Sequence, residues 1–216
     1  MSRETVWIAL KKKTVLSDEA IAGLMGNLEA ESNCESCRVQ GDFTADRRVS
    51  KAYAADVNRG NISQYSFSHD QKGFGLPQFT YFSRKSNLYD YCKSIGAGIE
   101  DEEAQIDFML SEMQNEYVTM WRQLLSCSDI RTAADLVCRQ YERPAVNNVE
   151  ARAEYGRQIY AQFHGKTFVE IGGVVSGQDP IGEGEWLQEW IDYLQTEIDE
   201  KQAKIDALKA RQKEVR

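Results

Sequence analysis

Two glutamates near the end of an amphipathic helix are the first residues whose chemistry could matter. Apolar residues recur at helical spacing between positions 21 and 28, and Ser17 supplies an N-cap, so a helix is predicted to end near Glu29 and Glu31. A carboxylate at a helix C-terminus faces the negative end of the helix dipole, which favours its protonated form. A general acid needs such a proton near neutral pH. The periodicity places both glutamates on shoulders of the apolar face, so it does not choose between them, and a solvated surface glutamate is the alternative for each.

A second segment, residues 73–78, reads Gly-Phe-Gly-Leu-Pro-Gln. Two glycines around an aromatic residue allow the backbone to turn closely against a ligand, for which an extended sugar chain is suitable. Gln78 offers both a donor and an acceptor for hydroxyl or N-acetyl groups. A plain turn is the alternative interpretation, and the further glycine of a dinucleotide-binding loop is missing.

Composition excludes several classes of function. The 216 residues are 42% hydrophobic and 28% charged, which is enough apolar material for a core and argues against a disordered chain. The formal charge of −8 does not suit a nucleic-acid-binding protein. No apolar run is long enough for a membrane span, and the apolar stretch before Lys11 is too short for a signal-peptide core. We therefore expect a protein made in a cytoplasm without a signal peptide, with no membrane insertion and no nucleic-acid partner.

Five cysteines include a single Cys-x-x-Cys pair, Cys34 and Cys37, and the chain has only two histidines. One such pair is a poor zinc site, since structural zinc usually takes four ligands. Plain thiols, a local disulfide and a metal site all remain open for this pair. We expect no metal and no cofactor.

The first 164 residues are predicted to form a mainly helical domain with two lobes and a small irregular β region, with a cleft between the lobes. Helices are indicated around 106–113 and over 149–163, and Thr132 with Asp135 resembles a capping box that opens a further helix. The region from Cys34 to Gln78 has no long helical period and indicates loops and a small β-hairpin.

The remainder of the chain differs in composition. Residues 165–184 are rich in glycine and indicate a linker, although a short strand fits their middle. Residues 185–216 lack proline and glycine and repeat apolar residues at heptad spacing, with isoleucine and leucine alternating on one seam. This pattern favours a parallel two-stranded coiled coil, and hence a homodimer. The alternative is a helix that packs back onto the body through Trp186 and Trp190.

Four ordered motifs resemble the phage tail (tail-tip) lysozymes, which are relatives of goose-type lysozymes and lytic transglycosylases. Glu31-Ser32, followed about forty residues later by residues 73–78, is similar to the family pattern Glu-Ser…Gly-x-Gly-Leu-x-Gln. Residues 23–28 before the glutamate, residues 80–85 after the glutamine and the Tyr-Glu-Arg-Pro of residues 141–144 agree as well. The resemblance spans about residues 4 to 163, and four motifs in order are far more specific than any one of them.

The resemblance implies roles for individual residues. It makes Glu31 the general acid and indicates Asp70 as a water-activating or charge-stabilising partner, with Asp42 and Asp46 as competitors. The residues that it implies for substrate binding are Ser32, Gly75, Gln78, Tyr81 and Tyr141. Within the Tyr-Glu-Arg-Pro motif, we interpret Glu142 and Arg143 as a structural ion pair.

The activity implied by the resemblance is a lysozyme (muramidase). It would cleave the β-1,4 bond between N-acetylmuramic acid and N-acetylglucosamine in peptidoglycan, as an endolysin or a bacteriolytic tail enzyme. If no second carboxylate activates water, attack by the muramic O6 would instead make the protein a lytic transglycosylase with an anhydro product. A non-catalytic phage tail protein that only binds glycan is a third hypothesis. The expected place of action is the bacterial cell wall, from a virion tail or after lysis.

Overall fold

The computed structural model describes residues 3–171, 174–178, 195 and 202, and helices dominate this part of the chain. The predicted mainly α fold is therefore confirmed. The helices are α1 (Arg3–Lys13), α2 (Asp18–Ser32), α3 (Arg48–Arg59), α4 (Gln64–His69), α5 (Phe82–Ile95), α6 (Glu102–Asn115), α7 (Val118–Leu125), α8 (Ile130–Leu136) and α9 (Val149–Phe163), and a π-helical segment, Val137–Glu142, directly follows α8.

Helix α2 is the buried centre of the domain and carries the predicted glutamates in its last turn. Ser17 is its N-cap, as predicted, because the Ser17 hydroxyl accepts a hydrogen bond from the Ala20 amide at 3.1 Å. The helix ends at Asn33, whose left-handed conformation (φ 58°) returns its N–H to the carbonyl of Glu29. Asparagine tolerates this conformation better than most residues, so the chain turns away immediately after Ser32.

Glycine at position 26 allows α2 and α9 to pack with almost no side chain between them. A Cβ atom on Gly26 would lie 2.1 Å from the carbonyl oxygen of Arg152, and one on Gly156 would lie 2.8 Å from the carbonyl oxygen of Ala22. Both distances are far below van der Waals contact, so larger residues would force the helices apart. This close approach brings Arg152 of α9 next to the end of α2.

The prediction of loops and a hairpin between Cys34 and Gln78 was wrong in part, because this region contains α3 and α4. Helix α3 buries only Ser50, Ala54 and Val57, which share one helical face but form a weak apolar signal. The small β region consists of isolated bridges from Phe74 to Val39 and to Phe79.

Two helix boundaries further along the chain test the sequence signals. Helix α9 spans the predicted residues, Val149–Phe163. The proposed capping box at Thr132 was wrong: Asp129 is the N-cap of α8 and accepts a hydrogen bond from the Thr132 amide at 2.7 Å. The side chain of Asp129 caps a free amide of the first turn, so α8 begins three residues earlier than we predicted.

The chain divides into two compact units, Met1–His164 and Gly165–Arg216. In the second unit, strands β1 (Thr167–Ile171) and β2 (Val174–Gln178) pair antiparallel, with Thr167 opposite Gln178. The segment interpreted as a linker, 165–184, thus contains a paired hairpin. The predicted coiled coil over 185–216 lies outside the described residues, apart from positions 195 and 202. None of the helices in the described part of the chain has the length and hydropathy that crossing a bilayer requires.

Candidate active site

The carboxyl group of Glu31 lies at a cleft of about 1260 Å³ and is held there by an arginine. Oε1 of Glu31 accepts a hydrogen bond from Nη2 of Arg152 at 2.7 Å, and the Glu31 side chain is 22% exposed. Nη1 of the same arginine donates to Oδ1 of Asn27 at 3.1 Å, one turn earlier on α2. Asn27 in turn donates to the carbonyl of Ala134 at 3.1 Å, so the guanidinium has a fixed position between α2 and α9. Glu31 is therefore oriented and still open to a ligand.

Glu29, which the helical pattern did not separate from Glu31, has a different environment. Both of its carboxylate oxygens accept hydrogen bonds from Arg3, at 2.6 and 3.0 Å. Its side chain is only 9% exposed, and it is not among the residues that line the cleft. The bidentate pair joins α1 to α2, and this geometry is typical of a structural ion pair.

The loop 73–78 is shaped by a buried glutamine from α6. Gly75 has φ +80°, and a Cβ atom there would lie 2.5 Å from Oε1 of Gln105. Gln105 accepts a hydrogen bond from the Leu76 amide at 2.8 Å and donates to the carbonyls of Ser36 and Ile99 at 2.8 and 2.6 Å. Glycine is required here because only it combines this backbone conformation with such close contact.

Of the predicted binding residues in this region, Gln78 lines the cleft and Ser32 and Gly75 do not. The hydroxyl of Ser32 lies 2.8 Å from the carbonyl oxygen of Leu76 and so joins the end of α2 to the loop. Nε2 of Gln78 donates to the carbonyls of Arg38 and Gly75 at 3.1 and 2.9 Å, which tightens the turn. These contacts give Ser32 and Gly75 supporting positions next to the cleft.

Tyr141 and Tyr81 both line the cleft, but in different ways. Tyr141 is 1% exposed, and its hydroxyl donates to Oε2 of Glu112 at 2.7 Å. Arg84 donates to the same carboxylate at 2.8 Å, and its guanidinium lies 4.5 Å from the centre of the Tyr141 ring. Burial raises the pKa of the Tyr141 hydroxyl well above its ordinary value, so it stays a donor. Tyr81, by contrast, is 67% exposed.

Glu142, the last residue of the π-helical segment, is a second carboxyl group at the cleft. Its Oε1 is buried and has no hydrogen-bond partner within the described chain. Burial raises the pKa of Glu142 to about 8, and the nearby negative charge of Glu31 acts in the same direction. The guanidinium groups of Arg84 and Arg152 oppose this effect without overcoming it. Glu142 therefore carries a proton at neutral pH.

The ion pair predicted between Glu142 and Arg143 is not formed in the described structure. Nε of Arg143 instead donates to the carbonyl of Gln140 at 3.0 Å, and Arg143 itself adopts φ 51°. The sequence did carry a signal for Glu142, because it belongs to the Tyr-Glu-Arg-Pro motif. Because Glu142 and Arg143 are adjacent and oppositely charged, a structural ion pair was the simpler interpretation. A π-helical turn does not produce a recognisable sequence pattern.

Asp70, predicted as the partner of Glu31, is directed to internal contacts and is not among the cleft-lining residues. Its carboxylate accepts hydrogen bonds from the Lys85 ammonium, the Tyr53 hydroxyl and the Lys72 amide. Burial acts to raise the pKa of Asp70, but the hydrogen bonds from Lys85 and Tyr53 hold it below its ordinary value. The Lys85 side chain is 0% exposed, so Asp70 balances a fully buried cation. These contacts give no support to a water-activating role.

The two competing aspartates also make local contacts away from the cleft. Asp42 is buried and accepts hydrogen bonds from Thr44 and from Ser50, whose amide and hydroxyl lie at 2.9 and 2.7 Å from Oδ2. Hydrogen bonding by Thr44 and Ser50 holds the pKa of Asp42 well below its usual range. Asp46 accepts a hydrogen bond from the Arg48 amide at 3.2 Å at the start of α3.

All five cysteines are free and buried, so Cys34 and Cys37 do not form a disulfide in this structure. In the described residues, no group of three or more histidine, cysteine or acidic side chains is arranged to hold a metal ion.

The cleft thus combines the Glu31 carboxyl group at the end of α2, the protonated carboxyl group of Glu142 and the loop 73–78. A family model described as phage tail lysozyme matches residues 2–163. The chain belongs to the phage tail lysozyme family. The match contains Glu31, Glu142 and every residue that lines the cleft, and membership gives the protein a lysozyme-like role in degrading peptidoglycan. No curated protein matches the chain.

Proposed function

We propose that the protein is a muramidase that cleaves the β-1,4 bond between N-acetylmuramic acid and N-acetylglucosamine, with Glu31 as the general acid. The observation that carries the proposal is the position of the Glu31 carboxyl: it is partly exposed at the cleft, ion-paired through one oxygen with Arg152, and close to a second carboxyl group. Glu31 would protonate the glycosidic oxygen as the bond breaks towards an oxocarbenium-like state. Arg152 would then stabilise the carboxylate that remains.

Glu142 is the natural second member of this site. Burial and the neighbouring charge of Glu31 raise the pKa of Glu142 to about 8, so the site holds a proton at neutral pH. Since Oε1 of Glu142 is buried, we assign contact with the glycosidic oxygen to Glu31, and Glu142 would supply the proton that Glu31 passes to that oxygen. This arrangement supplies an acidic group under conditions in which an isolated surface glutamate would be ionised.

For hydrolysis, a carboxylate must also activate water. We place this role with Glu116, an exposed residue that lines the cleft, rather than with Asp70. The internal contacts of Asp70 favour a second candidate reaction as well, in which the muramic O6 attacks and the protein acts as a lytic transglycosylase. Mass spectrometry of released muropeptides separates the two reactions, because hydrolysis adds water to the products and transglycosylation does not.

The decisive experiment compares Glu31→Gln with Glu142→Gln on purified cell walls. With Glu31 as the acid, the first variant no longer clears the suspension and the second keeps measurable activity below pH 7. Loss of activity in Glu142→Gln alone would transfer the role of acid to Glu142. If wild-type protein sediments with cell walls and releases no fragments, the protein is a glycan-binding tail component and the proposal fails.

We also propose that residues 185–216 join two copies of the chain and take no part in cleavage. Sedimentation of the full chain and of a chain that ends at residue 184 tests this: the mass should fall to that of a monomer, and the activity should persist. We also propose, from the family match, that the protein acts on the bacterial cell wall, either from a virion tail or after lysis.

A further inference from the structure

Four aromatic rings stack in sequence where α4 meets the start of α5. The ring centres of Tyr65 and His69 are 4.1 Å apart, those of His69 and Phe82 are 5.4 Å apart, and those of Phe82 and Tyr81 are also 5.4 Å apart. The angles between neighbouring ring planes lie between 19° and 31°: the first two pairs are stacked, and Tyr81 is tilted against Phe82. We call Tyr65, His69, Phe82 and Tyr81 the aromatic column.

The aromatic column is exposed, and it continues the cleft. Tyr65, Tyr81 and Phe82 are 72%, 67% and 52% exposed. Tyr81, Phe82 and His69 line the cleft, whereas Tyr65 lies beyond its lining. Aromatic rings with this much exposed area form a surface that a ligand can cover, since burial of their free faces and edges is favourable.

The column is also held in place before any ligand binds. Nδ1 of His69 lies 3.0 Å from the carbonyl oxygen of Tyr65 and 2.9 Å from the hydroxyl oxygen of Ser68, and these contacts orient the imidazole ring on α4. Gln64 at the start of α4 donates to Ser86 and Asp90 of α5, at 3.0 and 2.9 Å, which fixes the two helices relative to each other. A prearranged surface loses little side-chain entropy on binding.

We propose that the aromatic column is a glycan-binding platform that extends the cleft and stacks against pyranose rings of the bound strand. The proposal rests on the proposed function, because it assigns this surface to the same peptidoglycan strand. The chemistry fits a sugar: the faces of β-1,4-linked pyranoses are lined with C–H groups, and the two end rings of the column, Tyr65 and Tyr81, are 72% and 67% exposed. The column itself contains no carboxylate, lysine or arginine.

Binding of a short soluble glycan of alternating N-acetylglucosamine and N-acetylmuramic acid tests the proposal. The full chain with Glu31→Gln serves as the parent, so that the ligand is not consumed, and the dissociation constant is measured by NMR titration or calorimetry. Tyr81→Ala and Tyr65→Ala should each weaken binding by about three- to tenfold, the range expected from loss of one aromatic contact. Tyr81→Phe keeps the ring and should bind like the parent.

Phe43→Ala is the matched control, because Phe43 is 89% exposed but belongs to neither the column nor the cleft lining. Equal affinities for the parent and both tyrosine-to-alanine variants overturn the platform while leaving the muramidase proposal intact. If the parent binds no glycan and the wild type releases no muropeptides, both proposals fall. Circular dichroism of each variant shows whether the fold is retained, and Tyr65→Ala, which lies outside the cleft lining, decides the matter if Tyr81→Ala unfolds.

Discussion

Glutamine in place of Glu142 should change how the stability of the protein depends on pH, and the sign of the change follows from one pKa. In the unfolded chain, this glutamate titrates near 4.5, whereas burial raises its pKa to about 8 in the folded protein. Between these values the folded state holds a proton that the unfolded state lacks. The stabilisation is fully present below pH 4.5 and is lost as the pH rises through 8.

The full difference between the two pKa values corresponds to about 5 kcal/mol in the free energy of unfolding, an upper limit for this one group. The wild-type protein should therefore lose stability between pH 5 and pH 9, and the Glu142→Gln variant should lose several kcal/mol less. Urea denaturation followed by tryptophan fluorescence at a series of pH values measures both curves. Groups distant from the cleft titrate alike in the two proteins, so the difference between the curves reports Glu142 together with the charges next to it.

A control variant with a surface glutamate shows whether removal of any carboxylate has this effect. Glu154 on α9 pairs with Arg157 at 2.9 Å and is 55% exposed, so Glu154→Gln should follow the wild-type curve. Parallel curves for wild type and Glu142→Gln would refute the reasoning, because they would mean that Glu142 is ionised in the folded protein at neutral pH. The proposed carboxyl pair would then hold no proton.

Three further substitutions test the supporting structure. Asp70→Asn should lower the free energy of unfolding by about 3–5 kcal/mol, because it leaves the buried Lys85 cation unpaired; activity per folded molecule should persist, and a specific loss of turnover would restore a catalytic role for Asp70. Gly26→Ala should destabilise the fold by at least about 2 kcal/mol, since its Cβ would meet the carbonyl of Arg152, and thermal melting would measure this. Glu29→Gln should cost about 1–3 kcal/mol through the lost ion pair with α1 and leave cell-wall clearing largely intact; abolished clearing in a folded variant would move the catalytic assignment to Glu29.

The sequence predicted those helices whose ends are set by residues close by in the chain. Ser17 marks the start of α2 because its hydroxyl binds an amide three residues later, and α9 spans the predicted residues with Val149, Ala153, Ile159 and Phe163 buried. Helix α3 was missed because it buries only three small or short side chains, and its contact from Asn58 to Glu100 joins residues that are far apart in the sequence. Tertiary contact overrides weak propensity in such segments.

The chemistry of the site was predictable in part. The resemblance indicated Glu31, and the structure places it at the cleft with Gln78, Tyr81 and Tyr141. The internal contacts of Asp70 could not be inferred from the sequence, because its partner Lys85 is fifteen residues away and a lysine is rarely expected to be fully buried.

The π-helical segment Val137–Glu142 has a consequence for how this site tolerates change. A π-turn holds one residue more than an α-turn, and such turns are frequent at functional sites. Removing one residue from 137–140 would let the segment relax to regular α-helix while the flanking chain stays nearly in place. Side chains within the segment would change direction by up to about 100°, the rotation of one helical position. Tyr141 and Glu142 would both change direction. Because Tyr141 is buried and hydrogen-bonded to Glu112, a one-codon deletion here should lower both the activity and the stability of the protein.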